Sequence, residues 1–379
     1  KHSKECYLIL TEGDSAAALA ISGLAVVGRN KYGVFPLRGK LLNVRDASSN
    51  AVSQNTEVTS LKAILGLKQG EIYSSTATLR YAHVSIMADQ DSDGSHIAGL
   101  VMNLFSTFWP SLLRTPGFLL RFIAPIVRAI PKNRCGRRGG EGGGEAEKAM
   151  EFFTLPEYRL WAGTVDQDRY RVKYFKGLGT STSSDAKSYF SNLPKHLIEM
   201  LPSAATEIDA ETFDLVFAKK RSDARKEWIE RTPPGTFLDN SAGKVSYLDF
   251  VNKELVLFSI AANVRAIPSV MDGLKPSQRK ILFACLKRNL VQEIKVSSLS
   301  GYISEQTAYH HGDAALQGTI IALAHTHVGS NNINYLLPNG QFGTRAAGGK
   351  DAASPRYIFT QLAPITAKLF RQEDTCVLT

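Results

Sequence analysis

Apolar and polar positions change rhythm several times along the first third of this chain. Residues 7–10 (YLIL) form a short apolar run, suited to a buried strand. The polar turn 11-TEGDS-15 follows, and an alanine-rich stretch to residue 24 reads as a helix that Asp14 or Ser15 can cap. Residues 33–44 (GVFPLRGKLLNV) read as a strand with a basic loop, and residues 57–67 as a helix. The run 82-AHVSIMADQD-91 is a strand ending in acids, and 95–113 is a long apolar helix. Strands alternating with helices predict a parallel or mostly parallel sheet covered by helices, with ligands at the carboxyl ends of the strands. Glu12 and the Asp89 cluster both fall at such ends.

The rhythm then breaks. Residues 132–148 (KNRCGRRGGEGGGEAEK) carry glycine and charge but no apolar period, and predict a surface loop. Residues 170–190 read as a strand, a glycine turn and a helix capped near Ser183 or Ser184, and 181–245 as a largely helical, polar connector. Residues 247–264 are helical up to the break at Pro268. Pro276 opens another helix at its first position, and a third starts near Asp313. Helices joined by short segments among lysines and arginines, with a turn-rich tail over 330–362, predict a helix-turn-helix or winged-helix unit. The expected domains are 1–130, a connector over 131–245, and 246–379. No internal repeat is present.

Composition narrows this picture only a little. The 379 residues are 44% hydrophobic and 21% charged, as in an ordinary globular protein. No apolar run reaches the roughly 18 residues of a membrane span, and the N-terminus lacks a signal-peptide pattern. Cys6, Cys135, Cys285 and Cys376 show neither metal-ligand spacing nor a disulfide framework, and read as reduced thiols. A net charge of +10 suits a polyanionic partner such as nucleic acid.

The chemistry concentrates in three places. The first is 89-DQDSDG-94, which follows an EF-hand loop through its sixth position. A calcium loop needs glutamate at position twelve, where this chain has Leu100, so that reading fails. Glu12, Asp89, Asp91 and Asp93 instead form an oxygen-only set suited to a hard cation such as magnesium or manganese. Solvated acids in an Asx-rich turn are the plainer reading. The second place is basic: Arg38 and Lys40 in PLRGK, Lys176 in KYFKGLGT, Lys275, Arg279 and Lys280 in LKPSQRK, and His310 and His311 in YHHG. Singly these are solvated or core residues; together they suit a phosphate backbone held by positioning contacts. The third is 354-SPRYIFT-360, where Arg356 precedes Tyr357. A tyrosine in a strand-like run reads by itself as core or interface, whereas beside a guanidinium it is also a nucleophile with help for the attacked phosphate. No P-loop pattern is present, so any ATP is bound by residues outside this chain.

The stretches EGDSA, VGRNKYGVFPLRGKLLNVRDAS, IMADQDSDGSHI, KYFKGLGTSTS, PSVMDGLKPSQRKILFACLKRN, AYHHGD, GSNNINYLLPNGQFGTR and GGKDAASPRYIFT closely resemble the breakage-reunion core of eukaryotic-type DNA topoisomerase II. The resemblance runs in order over nearly the whole chain; the glycine-rich loop at 134–144 and Ser92 depart from it. It implies an α/β Toprim domain, a parallel sheet flanked by helices, followed by a mainly α winged-helix domain. It implies magnesium at Glu12, Asp89, Asp91 and Asp93, with manganese or calcium as substitutes. Tyr357 falls on the nucleophile, Arg356 on the assisting arginine, and His310 and His311 on histidines near the scissile phosphate. Lys275 and Arg279 fall on DNA-backbone positions, with Lys280 beside them; Arg38, Lys40 and Lys176 lie in DNA- and site-proximal motifs. The implied chemistry is transient cleavage of both strands of duplex DNA through a 5′-phosphotyrosyl link, in a homodimer whose sites draw on both protomers. It also implies a nuclear protein, with an organelle or a viral source as alternatives. The expectation is a fragment without the ATPase domain and exit gate, ATP serving only the full-length enzyme. A Toprim-type nuclease or primase would share the acids but need no tyrosine, and a non-catalytic winged-helix module would need neither.

Overall fold

The computed structural model describes residues 2–132, 149–175, 177–309, 311–371 and 373. The chain forms two compact units, 1–260 and 261–379.

The first unit is built on a six-stranded sheet. Its strands are β1 (Tyr7–Glu12), β2 (Tyr32–Leu37), β3 (His83–Met87), β4 (Leu119–Phe122), β8 (Leu197–Leu201) and β9 (Lys244–Ser246), in the order β2-β1-β3-β4-β8-β9. The first four are parallel; β8 runs antiparallel to β4 and parallel to β9. The apolar runs belong to strands buried on both faces. Leu8 and Leu10 of β1, with Val84 and Ile86 of β3, point into one core, while Ile9 and Met87 point into the other. Helices Thr56–Leu65, Ser92–Phe108 and Thr206–Phe217 supply buried residues to the first core, and Gly13–Val27 and Ser183–Ser191 to the second. Each leucine so buried contributes about 1.5–3 kcal/mol of transfer free energy. A separate antiparallel sheet holds β5 (Val127–Pro131) between β6 (Met150–Phe152) and β7 (Tyr170–Tyr174).

Several local expectations change. The polar connector contains β8 and β9, which extend the main sheet because Ile198, Met200 and Val245 bury against its core. Thr182, rather than Ser183 or Ser184, caps helix Ser183–Ser191, in a reciprocal box with Asp185. Helix Gly13–Val27 has no side-chain cap; Glu12 occupies the cap position and turns its carboxylate elsewhere. The segment 247–264 is one helical path with a π-helical turn at Val251–Leu255. Tyr247, Phe250, Val251 and Leu255 sit in the core of the first unit, so the compact boundary falls at 260/261 rather than at 246.

The second unit packs helices Pro276–Lys287, Val296–Thr307 and Asp313–Ala324 around Ile281, Leu299, Ile303, Leu316 and Ile320. An antiparallel sheet covers this core, with β12 (Phe359–Leu362) between β10 (Ile294–Lys295) and β11 (Leu336–Asn339). Three helices with a small antiparallel sheet make the winged-helix arrangement. No described helix is long and apolar enough to cross a membrane. Cys6 and Cys285 are free thiols; Cys135, Cys376 and the loop at 134–144 lie outside the described residues.

Candidate active site: an acid turn and an exposed tyrosine

β1 and β3 are parallel neighbours, with Thr11 opposite Met87. Glu12 and the Asp89 turn therefore leave the sheet side by side at its carboxyl edge, although far apart in sequence. Asp89 N–H donates to Glu12 Oε2 at 3.1 Å. Asp89 Oδ1 accepts from Leu178 N–H at 2.7 Å. Asp91 caps helix Ser92–Phe108, its Oδ1 accepting from Gly94 N–H at 2.8 Å. Asp93 Oδ1 lies 2.6 Å from Lys40 Nζ.

Two glycines leave room for this crowd. A Cβ on Gly177 would stand 2.2 Å from Asp89 Oδ2, and its φ of +70° already disfavours a side chain. A Cβ on Gly94 would stand 2.1 Å from the Asp89 carbonyl oxygen. The turn is also electrostatically costly. Burial pushes the Glu12 carboxyl above its usual range, and the charges of Asp89, Asp91 and Asp93 add to that against the opposing Asp89 N–H. Asp89 is raised by burial and by Asp91, against the Leu178 N–H.

The donor chemistry suits a hard divalent cation: the set is carboxylate oxygen only and its members repel one another. Glu12 Oε1, Asp89 Oδ2 and Asp91 Oδ2 accept no hydrogen bond among the described residues. Among those residues, however, no three acids already converge on one point as a metal site.

Sequence reasoning missed the support beneath this turn. Arg121 of β4 is 5% exposed and forms a bidentate pair with Glu254, at 2.8 Å from NH1 to Oε2 and 2.5 Å from NH2 to Oε1. Glu254 Oε1 also lies 2.7 Å from Ser95 Oγ, which itself lies 3.0 Å from the Asp91 carbonyl. A single arginine in the apolar run 119-LLRF-122 was the signal, because a buried charge requires a partner.

The basic residues separate into different roles. Lys40 pairs with Asp93 and lies 4.6 Å over the Phe258 ring, so it is part of the acid turn. Arg38 is exposed. Lys176 lies outside the described residues, as does His310. In the second unit, Arg279 spends its guanidinium on Asp272, at 2.8 and 2.9 Å, and on the Leu274 carbonyl. These bonds staple the 272–274 turn to the helix. Lys280 donates to the Thr307 carbonyl at 2.9 Å. Lys275, exposed at the start of its helix, makes no ion pair among the described residues. The His311 ring stands edge-on to Tyr309, with centroids 5.5 Å apart.

Tyr357 is 68% exposed, on a turn closed by its N–H donating to the Ser354 carbonyl at 2.9 Å. Ile358, 1% exposed, anchors the turn in the core, and β12 begins only at Phe359. The strand expected across SPRYIFT thus starts two residues beyond Tyr357, which leaves the phenol in solvent. The Arg356 guanidinium lies 5.2 Å from the Tyr357 ring centroid.

An acid turn at the carboxyl edge of a parallel sheet, followed by a winged-helix unit with an exposed tyrosine, defines a Toprim protein joined to a winged-helix domain. Comparison with known families agrees. Residues 7–125 match the Toprim domain, 122–263 the C-terminal associated domain of Toprim, and 265–379 the A-type subunit of DNA gyrase/topoisomerase IV. The DNA topoisomerase 2 of Candida albicans is 52% identical over 99% of this chain, and that of Arabidopsis thaliana 51% identical over all of it. A mitochondrial DNA topoisomerase 2 from Dictyostelium discoideum is 52% identical over 99%. The chain spans about a quarter of the length of these curated relatives: 25%, 25% and 28%. The crystal structure of the Plasmodium falciparum topoisomerase II DNA-binding, cleavage and re-ligation domain covers the whole chain at 47% identity with a TM-score of 0.82, and the match takes in 50% of that chain. This chain belongs to the DNA topoisomerase II family, a metal-dependent enzyme class.

Proposed function

We propose that this chain carries the DNA cleavage and rejoining chemistry of a type II DNA topoisomerase, with Tyr357 as nucleophile. The observation that carries the reading is Tyr357 itself: 68% exposed beside Arg356, where Tyr309 of the same unit is 6% exposed as a core residue. Tyr357 Oη attacks a backbone phosphorus of duplex DNA in line. A phosphotyrosyl bond forms on the 5′ side as the phenol loses its proton, the P–O3′ bond breaks, and the 3′-oxygen takes up one proton to leave as a hydroxyl, so the exchange is balanced. Arg356 binds the attacked phosphate and offsets its growing charge. Exchange of one phosphodiester for another keeps the bond energy, so the 3′-hydroxyl reverses the step.

Glu12, Asp89, Asp91 and Asp93 would hold the divalent cation, which supplies positive charge against the leaving 3′-oxygen. Magnesium is the proposed ion, with manganese or calcium as substitutes. Glu12 is read as a metal ligand, a proton carrier for the 3′-oxygen, or both. His311, Arg38, Lys275 and Lys280 are proposed to position the phosphate backbone. The partners are duplex DNA and a second copy of the protein; ATP belongs to the full-length enzyme, and the location proposed is nuclear.

The test is denaturing capture of the full-length dimer on cut duplex DNA with magnesium. The parent is expected on the 5′ ends and Tyr357→Phe on none. An adduct persisting in Tyr357→Phe removes the nucleophile assignment, and cleavage by the parent without any adduct favours a Toprim nuclease.

A further inference from the structure

A pocket of about 460 Å³ opens in the first unit, away from the acid turn. This size is typical of small-ligand sites. Its apolar wall includes Phe153, Leu160 and Phe237, and its polar rim Glu157, Asp239 and Asn240. Leu160 is 75% and Phe237 44% exposed, so two large apolar side chains face water at its mouth.

The charge of the pocket runs against that of the molecule. The chain carries +10 overall. Here Glu151 is already neutralised, its Oε1 taking Arg128 at 2.8 Å and its Oε2 taking Lys195 at 2.9 Å. Glu157 and Asp239 make no ion pair among the described residues; they accept only from Phe153 N–H, and from Ser241 N–H and Oγ. The Ser241 hydrogen bonds hold the Asp239 carboxyl below its usual range, so it is charged at neutral pH. Among the described residues, Asn240 Oδ1 is buried without a hydrogen-bond partner. A buried acceptor without a donor is costly, and a ligand N–H would satisfy it. The rim therefore asks for positive charge and a donor, and the wall for an apolar body. Such a face has no use for a phosphate backbone.

We propose that this pocket binds an amphipathic cation: an ammonium or guanidinium group on an apolar or aromatic body. The cation lies between Glu157 and Asp239, an N–H donates to Asn240 Oδ1, and the body rests on Phe153, Leu160 and Phe237. A free amine and a lysine or arginine side chain of a peptide present the same chemistry. The site is independent of Tyr357 and the acid turn, so it can fail without disturbing the cleavage reading.

Calorimetric titration of the full-length protein separates these cases with three probes: tryptamine, its neutral analogue tryptophol, and acetyl-leucyl-arginine amide. Tryptamine is expected to saturate one site and tryptophol to bind at least about tenfold more weakly. Glu157→Gln with Asp239→Asn is expected to weaken both cationic probes about tenfold. Tighter binding of the peptide assigns the site to a protein partner, and tighter binding of tryptamine to a small amine. Leu160→Ala, at an exposed position that the fold does not use, is expected to weaken both cationic probes severalfold should the double variant fail to fold. Equal binding of tryptamine and tryptophol, absence of saturation by both cationic probes, or unchanged affinity in the variants overturns the proposal.

Discussion

Two groups of acids in the first unit have opposite characters. At the carboxyl edge of the sheet, Lys40 pairs with Asp93 of the set Glu12, Asp89, Asp91 and Asp93. Near β5, Asp185 and Glu151 are gripped by Arg128, Lys173 and Lys195. Burial pushes Glu12 and Asp89 up, and nearby acids push further. Burial would push Asp185 up too, but hydrogen bonds from Thr182, Arg128 and Lys173 hold it far below its usual range. The same residue types are thus a liability in one place and a brace in the other. The difference lies in the supply of positive charge. The cation proposed for the acid turn would supply further positive charge there.

The largest expected effect comes from breaking the brace. Asp185 is 6% exposed and accepts from Arg128, Lys173 and Thr182. Asp185→Ala leaves the Arg128 guanidinium with Glu151 but removes its hydrogen bond to Asp185 and the helix-capping box, so it should cost about 2.5–4 kcal/mol in denaturant unfolding. A loss under about 1 kcal/mol would show that solvent already screens this network. Next comes the opposite insult at the acid turn. Asp89→Ala should leave the unfolding midpoint near that of the parent but lower magnesium-dependent cleavage by full-length protein about 10²-fold or more. Cleavage at the parental rate would make the acids a solvated turn and no more.

The two groups also differ in how far they can be read from the sequence. Each member of the acid turn sits next to an apolar strand or helix, so its place at a strand end is legible from local pattern alone. The turn's supports are not. The Leu178 N–H reaches Asp89 across 89 positions, and Arg121 meets Glu254 across 133. The brace is invisible for the same reason: 182-TSSD-185 announces a cap, but not that Arg128, 57 positions away, closes on the capping aspartate. Local pattern puts β8 in a helical connector because 197-LIEML-201 is short, and only its docking on β4 makes it a strand. Tyr357 stands out through family resemblance alone, since periodicity would bury it. The structure adds the physical reason it differs from a core tyrosine: the strand begins at Phe359.

The smallest effect is the one most specific to the comparison. In the folded chain the Glu12 carboxyl is raised above the roughly 4.3 of an unfolded glutamate. A raised acid favours folding while protonated. That contribution is complete below the unfolded value and is lost as pH rises through the folded one. At pH 7 the folded chain therefore bears a charged Glu12 at a cost, which glutamine would not bear, while a glutamine oxygen can still accept from Asp89 N–H. Glu12→Gln should accordingly melt above the parent at pH 7 in chelator, and the gap should close near pH 3, where Glu12 is protonated in both states. Asp185 runs the other way, its stabilisation present above its unfolded value of about 3.9 and lost as pH falls through the lower folded value. Magnesium at pH 7 should raise the melting point of the parent more than that of Glu12→Gln, closing the same gap by supplying charge instead of removing it. Thermal unfolding at the two pH values, with and without magnesium, measures all four corners. If parent and variant melt together at pH 7 in chelator, Glu12 is not carrying an unrelieved charge, and the contrast with the brace disappears.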